Sequence, residues 1–219
     1  MTEGLEWNWN SFSDYLNVLD NKGFDMDIGA QIPHGALRLY VMGQRGADRE
    51  SATEDDIKKM AELSAEAIEN GAIGFTTSRT VFHKTSKGEL VPSFDAAGNE
   101  LIQIAKEIGK TGKGVLQLVS DFLGGYDEFK MLEKMVEESG CPISITLAQT
   151  DGTKYDYKDL LGWIEDAAKR GLPVRAQACG RPIGLMLGLN LTLNPFSGHP
   201  SYIAIADLPL EERLSLIHI

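Results

Sequence analysis

Two spacings of apolar residues alternate along this chain. Phe12, Tyr15, Leu16 and Leu19 fall three or four positions apart, the period of one helix face. Ser11 before them can cap a helix and Gly23 after them can end it. Trp7 and Trp9 lie just upstream and are expected to pack on that helix. An apolar segment at 26–32 then reads as a strand, and from there the two patterns take turns. Helical stripes are formed by Ile57, Met60, Ala61, Ser64 and Ile68, by Leu101, Ile104, Ala105 and Ile108, by Phe129, Leu132, Met135 and Val136, and by Leu160, Leu161, Ile164 and Ala168. Between them lie apolar runs at 73–77, 115–119, 142–148 and 173–178, each short enough to be a strand.

Punctuation supports this division. Thr53 with Asp56 three residues on has the form of a capping box, with Asp in place of the usual Glu. Gly71, Gly109 or Gly112, Gly140 and Gly171 each stand where a helix gives way to the next apolar run. Residues 24–178 are therefore a series of βα units, which predicts parallel pairing through right-handed crossovers. A closed (β/α)8 barrel and an open doubly wound sheet both fit. The open sheet usually carries a Gly-rich phosphate turn after its first strand, and Ile32-Pro33-His34-Gly35-Ala36-Leu37 lacks it. The expected class is thus α/β, an incomplete (β/α)8 TIM barrel, since five units are too few for eight strands. Residues 180–210 break the rhythm with Gly- and Leu-rich sequence and turn signals.

The formal charge of −11 argues against nucleic acid or an anionic membrane as partner, since either needs clustered Lys and Arg. Cys141 and Cys179 do not form a close-set framework and read as buried free thiols in a reducing compartment. Without a signal pattern or a membrane-length apolar run, a cytoplasmic location is expected.

In a βα barrel the chemistry sits at the C-terminal strand ends and in the loops after them. Those places hold Gln31 and His34, then Thr77, Ser78, Arg79 and His83, then Ser120 and Asp121, then Gln149, then Gln177; His199 lies in a later loop. His34 either hydrogen-bonds backbone at a strand-to-helix turn or contacts substrate. Arg79 either pairs with Asp121 or grips a substrate carboxylate. His83 sits in a long polar loop of lid length, as a solvated side chain or a substrate contact. Gln149 and Gln177 can position an amide but cannot act as bases. Asp121 is the one carboxylate among the strand ends and the candidate general base, with His83 the second candidate catalytic group. The four histidines are too widely spaced for a metal cluster, so no metal ligand is assigned.

Trp7-Asn8-Trp9, Ser11-Phe12, Tyr15-Leu16, residues 31–37 (QIPHGAL) and Tyr40-Val41-Met42-Gly43 resemble the central region of the N-acyl-D-amino-acid deacylase group of the metal-dependent amidohydrolases. Gly71-Ala72-Ile73-Gly74-Phe75 with Thr77-Ser78-Arg79, then Gly198-His199-Pro200-Ser201-Tyr202, Leu208-Pro209 and Glu212-Arg213, extend the resemblance over residues 3–213. It implies a hydrolase barrel that cleaves a linear C–N amide in a small N-acylated D-amino acid. Zinc is implied for the full-length parent and none for this segment. In that group a divalent metal activates water and a carboxylate shuttles the proton. Residues 1–213 are then the central part of one barrel domain, with a His-x-His pair and a cysteine expected upstream, an aspartate expected downstream, and 214–219 a non-native or truncated tail. The chain also departs from the group. Positions that should carry metal histidines fall near Val119-Ser120 and Leu147-Ala148, and an expected lysine falls near Gln149. An enzyme segment that is inactive alone is the first expectation. A barrel-derived domain that has lost its metal and binds a ligand or partner is the second, and a metal-free enzyme using Arg79 and Asp121 on an acidic substrate is the third.

Overall fold

Residues 6–148, 155–182, 184–191 and 193–216 are described by a computed structural model. Helix α1 (Phe12–Lys22) leads to β1 (Gln31–Pro33), α2 (His34–Met42), α3 (Gln44–Ala47) and α4 (Glu54–Glu69). Strands β2 (Gly74–Arg79), β3 (Val115–Ser120), β4 (Ile143–Leu147) and β5 (Val174–Ala178) follow. They alternate with α5 (Gly98–Lys110), α6 (Tyr126–Ser139) and α7 (Tyr157–Lys169), and α8 (Pro200–Ile203) and α9 (Leu210–Leu216) come last.

All neighbouring strands pair in parallel, in the order β1-β2-β3-β4-β5. That order decides between the two architectures. A doubly wound sheet reverses its strand order at a switch point and so places helices on both faces. Here each strand adds beside the last, and right-handed crossovers in one direction carry the helices between the strands to the same face. The winding is that of a barrel, and the described strands form an open five-stranded part of one.

Burial follows from this winding. Ile32, Phe75, Leu116, Ile143 and Val174 stand in register across the sheet and are all at most 4% exposed. They meet Met60, Ile68, Leu101, Ile104, Ile108, Leu132 and Met135 from the helices in one core. The next row, Thr76, Gln117, Ser144 and Arg175, points the other way and is polar throughout. Gln117 Nε2 donates to Gln177 Oε1 at 3.1 Å on that side. Parallel sheets are ordinarily apolar on both faces; this one has a helix-covered apolar face and an open polar one.

The capping box at Thr53 and Asp56 forms, and equivalent boxes at Ser11–Asp14 and Asp156–Asp159 open α1 and α7. Trp9 packs on Tyr15 of α1 with ring centroids 5.1 Å apart, and Trp7 packs on Trp9. The first strand is shorter than the apolar segment at 26–32 suggests. Met26 is 73% exposed and pairing begins only at Gln31, because β1 has one neighbour and that neighbour starts at Gly74 after the turn that leaves α4. Helix α2 begins directly at His34 after Pro33, with no side-chain cap to announce it. In α7 the buried positions are Leu160 and Ala167, with Trp163 and Ile164 packed against the core, while Leu161 is exposed. Cys141 is buried as expected, but Cys179 is exposed, because it follows β5 beyond the covering helices.

Glycine marks one close approach. A Cβ on Gly109 of α5 would lie 2.1 Å from the carbonyl oxygen of Ser139 at the end of α6. A Cβ on Gly162 of α7 would meet nothing within 4 Å. Both lie inside helices, where Ala is ordinarily favoured over Gly by about 1 kcal/mol. Gly162→Ala should therefore raise the unfolding free energy, measured by urea titration, by up to that amount. Gly109→Ala should lower it by about 1–3 kcal/mol, the cost of forcing α5 from α6.

Candidate active site

Because the strands are parallel, the ends of β2 to β5 lie along one edge, and the loop after β2 runs over it. Ser78, next to last in β2, lies in register with Val119 on the open polar face. Its hydroxyl is 2.6 Å from Nδ1 of His83, which is exposed. The turn carrying His83 is tied to β3. Asp121 Oδ1 accepts from Thr80 Oγ1 at 2.7 Å, and its Oδ2 accepts from the Val81 amide at 2.8 Å. Ser93 Oγ donates to the Ser78 carbonyl at 2.9 Å and holds the far end of the loop against the strand.

Arg79 points to the helix side. Its Nε donates to Glu128 Oε1 of α6 at 2.9 Å and its Nη1 to the Ala96 carbonyl at 2.7 Å. Ser120 Oγ donates to the same Glu128 oxygen at 2.6 Å and accepts from the Phe122 amide at 2.9 Å. The partner of Arg79 is thus neither Asp121 nor a group on the open face. Glu128, 5% exposed, went unread because an acid in the first turn of a helix ordinarily answers only to the helix dipole.

His34 is 1% exposed and does not bond to backbone. Its Nδ1 is 2.9 Å from Thr77 Oγ1 and its Nε2 is 2.7 Å from Glu100 Oε1 of α5. Arg38, one turn along α2, donates from Nη1 to both oxygens of Glu100 and from Nη2 to the Glu50 carbonyl. Burial penalises the charged imidazolium and holds the His34 pKa below its ordinary 6.5, against the upward pull of Glu100. Burial also pushes the Glu100 carboxyl up, but hydrogen bonds from His34 and Arg38 outweigh it and leave it below its ordinary 4.5. The pair is therefore a carboxylate and a neutral imidazole. Nε2–H donates to Glu100, and Nδ1 accepts from the Thr77 hydroxyl. Glu100 sits four residues before Ile104 on the buried stripe of α5, a position that singles it out in the sequence.

A model of the amidohydrolase family matches residues 3–218. The chain belongs to that family. A D-aminoacylase of Alcaligenes xylosoxydans xylosoxydans is 27% identical over 112 residues, 51% of this chain and 21% of that protein. Among solved structures, a D-aminoacylase with a binuclear metal centre is 24% identical with a TM-score of 0.60, over 77% of this chain and 33% of that one. The N-acyl-D-glutamate deacylase of Bordetella bronchiseptica, solved with zinc and a phosphonate mimic of the tetrahedral intermediate, is 18% identical with a TM-score of 0.62, over 78% and 34%. The chain thus spans about a third of the length of the solved relatives, and their fold is its fold.

The other candidate residues of this member of the amidohydrolase family do not gather at one point. Gln177 is on the open face beside Gln117. His199 caps α8, its Nδ1 accepting from the Ser201 amide at 3.2 Å. Gln149 lies outside the described residues. Among the described residues no three His, Cys, Asp or Glu side chains come together as a metal site. Ser120 and Leu147 end β3 and β4, and neither supplies the imidazole that the resemblance calls for there. The described donors do not fit the zinc site. A cavity of about 840 Å³ lies elsewhere, lined by Trp9, Phe12, Tyr15, Ala36, Tyr40 and Leu63 between α1, α2 and α4. No helix among the described residues is long and apolar enough to cross a membrane.

Both shifts in the buried cluster act in one direction. The unfolded chain protonates His34 near pH 6.5 while the folded chain resists, so stability falls as pH drops through that value. A second loss begins near pH 4.5, where the unfolded Glu100 takes up its proton first. Urea unfolding between about pH 7 and pH 5 should show this slope, and His34→Gln should flatten it; equal slopes would remove His34 as its source. Glu100→Ala strands the Arg38 guanidinium in the core and should cost about 3–5 kcal/mol at pH 7.

Proposed function

We propose that this chain is the central part of a metal-dependent amidohydrolase barrel that hydrolyses a linear C–N amide, with N-acylated D-amino acids as the substrate class. The observation that carries this reading is the open polar face. It brings Ser78, His83, Asp121 and Gln177 to the strand-end edge where barrel enzymes do their chemistry. Family membership and the likeness to a D-aminoacylase and an N-acyl-D-glutamate deacylase support the reaction class.

Within this proposal, His83 is the exposed group that carries a proton to or from the amide, and Asp121 fixes the turn that presents it. Ser78, Gln177 and Gln149 offer neutral hydrogen bonds to the amide and its acyl group. Arg79 and His34 support the substrate edge from the helix side, through Glu128 and Thr77. His199 remains assigned to the substrate side only by its place in the later loop. Zinc ligands, where the enzyme has them, come from outside the described residues.

One observation favours a second reading, a metal-free domain of barrel descent that binds a ligand or partner: Ser120 and Leu147 stand where metal histidines are expected. The two readings part in one experiment. The protein from its complete coding frame is supplied with zinc and assayed on N-acetyl-D- and N-acetyl-L-amino acids. Hydrolysis selective for the D series, lost with a chelator and restored by zinc, is the expected outcome, with His83→Ala reducing kcat by about 100-fold or more. Saturable ligand binding with neither bound zinc nor turnover establishes the second reading.

A further inference from the structure

The contact between Ser78 and His83 has the form of a nucleophile and its base. The two side chains are five residues apart, yet Ser78 Oγ lies 2.6 Å from His83 Nδ1, inside the range for proton transfer. Both partners are held. The Ser78 carbonyl accepts from Ser93, and Ser78 pairs in register with Val119 of β3. His83 closes a turn in which its own amide donates to the Thr80 carbonyl at 3.3 Å and the Phe82 amide donates to Thr80 Oγ1 at 3.3 Å. Asp121 grips that turn twice, through Thr80 Oγ1 and the Val81 amide. Such pre-positioning is what an acyl-transfer pair needs, because the geometry is set before substrate arrives. The pair is also open to solvent: Ser78 is half-buried and His83 exposed.

We propose that Ser78 and His83 form a metal-independent acyl-transfer dyad that accepts small activated carboxylic esters, with Asp121 as its positioning residue. In the first step Ser78 Oγ bonds to the acyl carbon as its proton passes to His83 Nδ1. The bond from that carbon to the leaving oxygen breaks, and the leaving group departs with the electron pair. His83 then releases its proton to solvent. In the second step a water oxygen bonds to the acyl carbon as His83 takes the water's proton; the bond from that carbon to Ser78 Oγ breaks, His83 returns the proton to Oγ, and the carboxylic acid leaves. Phenolate leaving groups carry their own charge well and suit a site built from a dyad alone. This activity needs no zinc and uses Ser78 and His83, the same side chains that the deacylase reading places on the substrate side, so retention of turnover in a chelator separates the two.

The test uses the whole chain, treated with a chelator, and p-nitrophenyl acetate as the probe. Peptide mapping after a short exposure should place one acetyl group on Ser78, with turnover continuing in the chelator. Ser78→Ala should remove both that modification and the turnover, and His83→Gln should slow acetylation by about 100-fold. Asp121→Asn should slow acetylation less and shift its pH profile, a readout that a purely structural role would not move. Mapping on the wild-type protein is independent of how the variants fold. Acetyl groups on lysines only, an unlabelled Ser78, or turnover that stops with the chelator would each overturn the proposal.

Discussion

Strand alternation coupled to one-directional winding is the constraint on which the rest of this molecule depends. Across β2 to β5 the row Phe75, Leu116, Ile143 and Val174 is apolar and buried against helices, and the next row, Thr76, Gln117, Ser144 and Arg175, is polar and points the other way. The pleat makes the two sets inseparable, since a shift of one residue would exchange them. Because the strands also share one direction, their polar rows end along a single edge. Core formation and assembly of the candidate site are therefore the same event, seen from opposite faces of the sheet.

Fixing that edge takes two layers of polar contact. On the open side Asp121 reaches back from β3 to the turn after β2, so the loop with His83 cannot move independently of the sheet. On the covered side Glu128 joins Arg79 of β2 to Ser120 of β3 through charge-assisted hydrogen bonds. Arg79 and Asp121 belong to adjacent strand ends but work on opposite faces. Each carboxylate ties the same two strands, one through a helix and one through a loop. Rigid support of this kind distinguishes a side chain placed for chemistry from one merely present at a strand end.

The alternation of strands and helices was legible because local signals agree: period and closing glycines point the same way in α4, α5 and α6, and α4 adds a capping box. Where one signal stood alone the reading slipped. The apolar segment at 26–32 suggested strand, but no neighbouring strand is available to pair with its first residues, and α2 has no capping residue to announce it. The strand-end positions of Ser78, His83 and Asp121 could be read, but their partners could not. Glu128 is 49 residues from Arg79 and Glu100 is 66 from His34, separations over which a single sequence carries no pairing information. Glu100 did leave one local mark, a charge on an otherwise apolar stripe.

The cluster of His34, Arg38 and Glu100 bears on how this sequence can change over time. Native domains hold a margin of about 5–15 kcal/mol, and stranding one member of a buried ion pair consumes about 3–5 of it. Replacing all three with well-packed apolar residues is often neutral or better. The routes to that end state pass through single substitutions that each leave a charge or a donor without its partner in the core. Three positions on two helices are thereby bound to one another in descent: drift at any one is closed until the others have moved. A cluster that contributes little net stability can persist because every exit from it begins downhill.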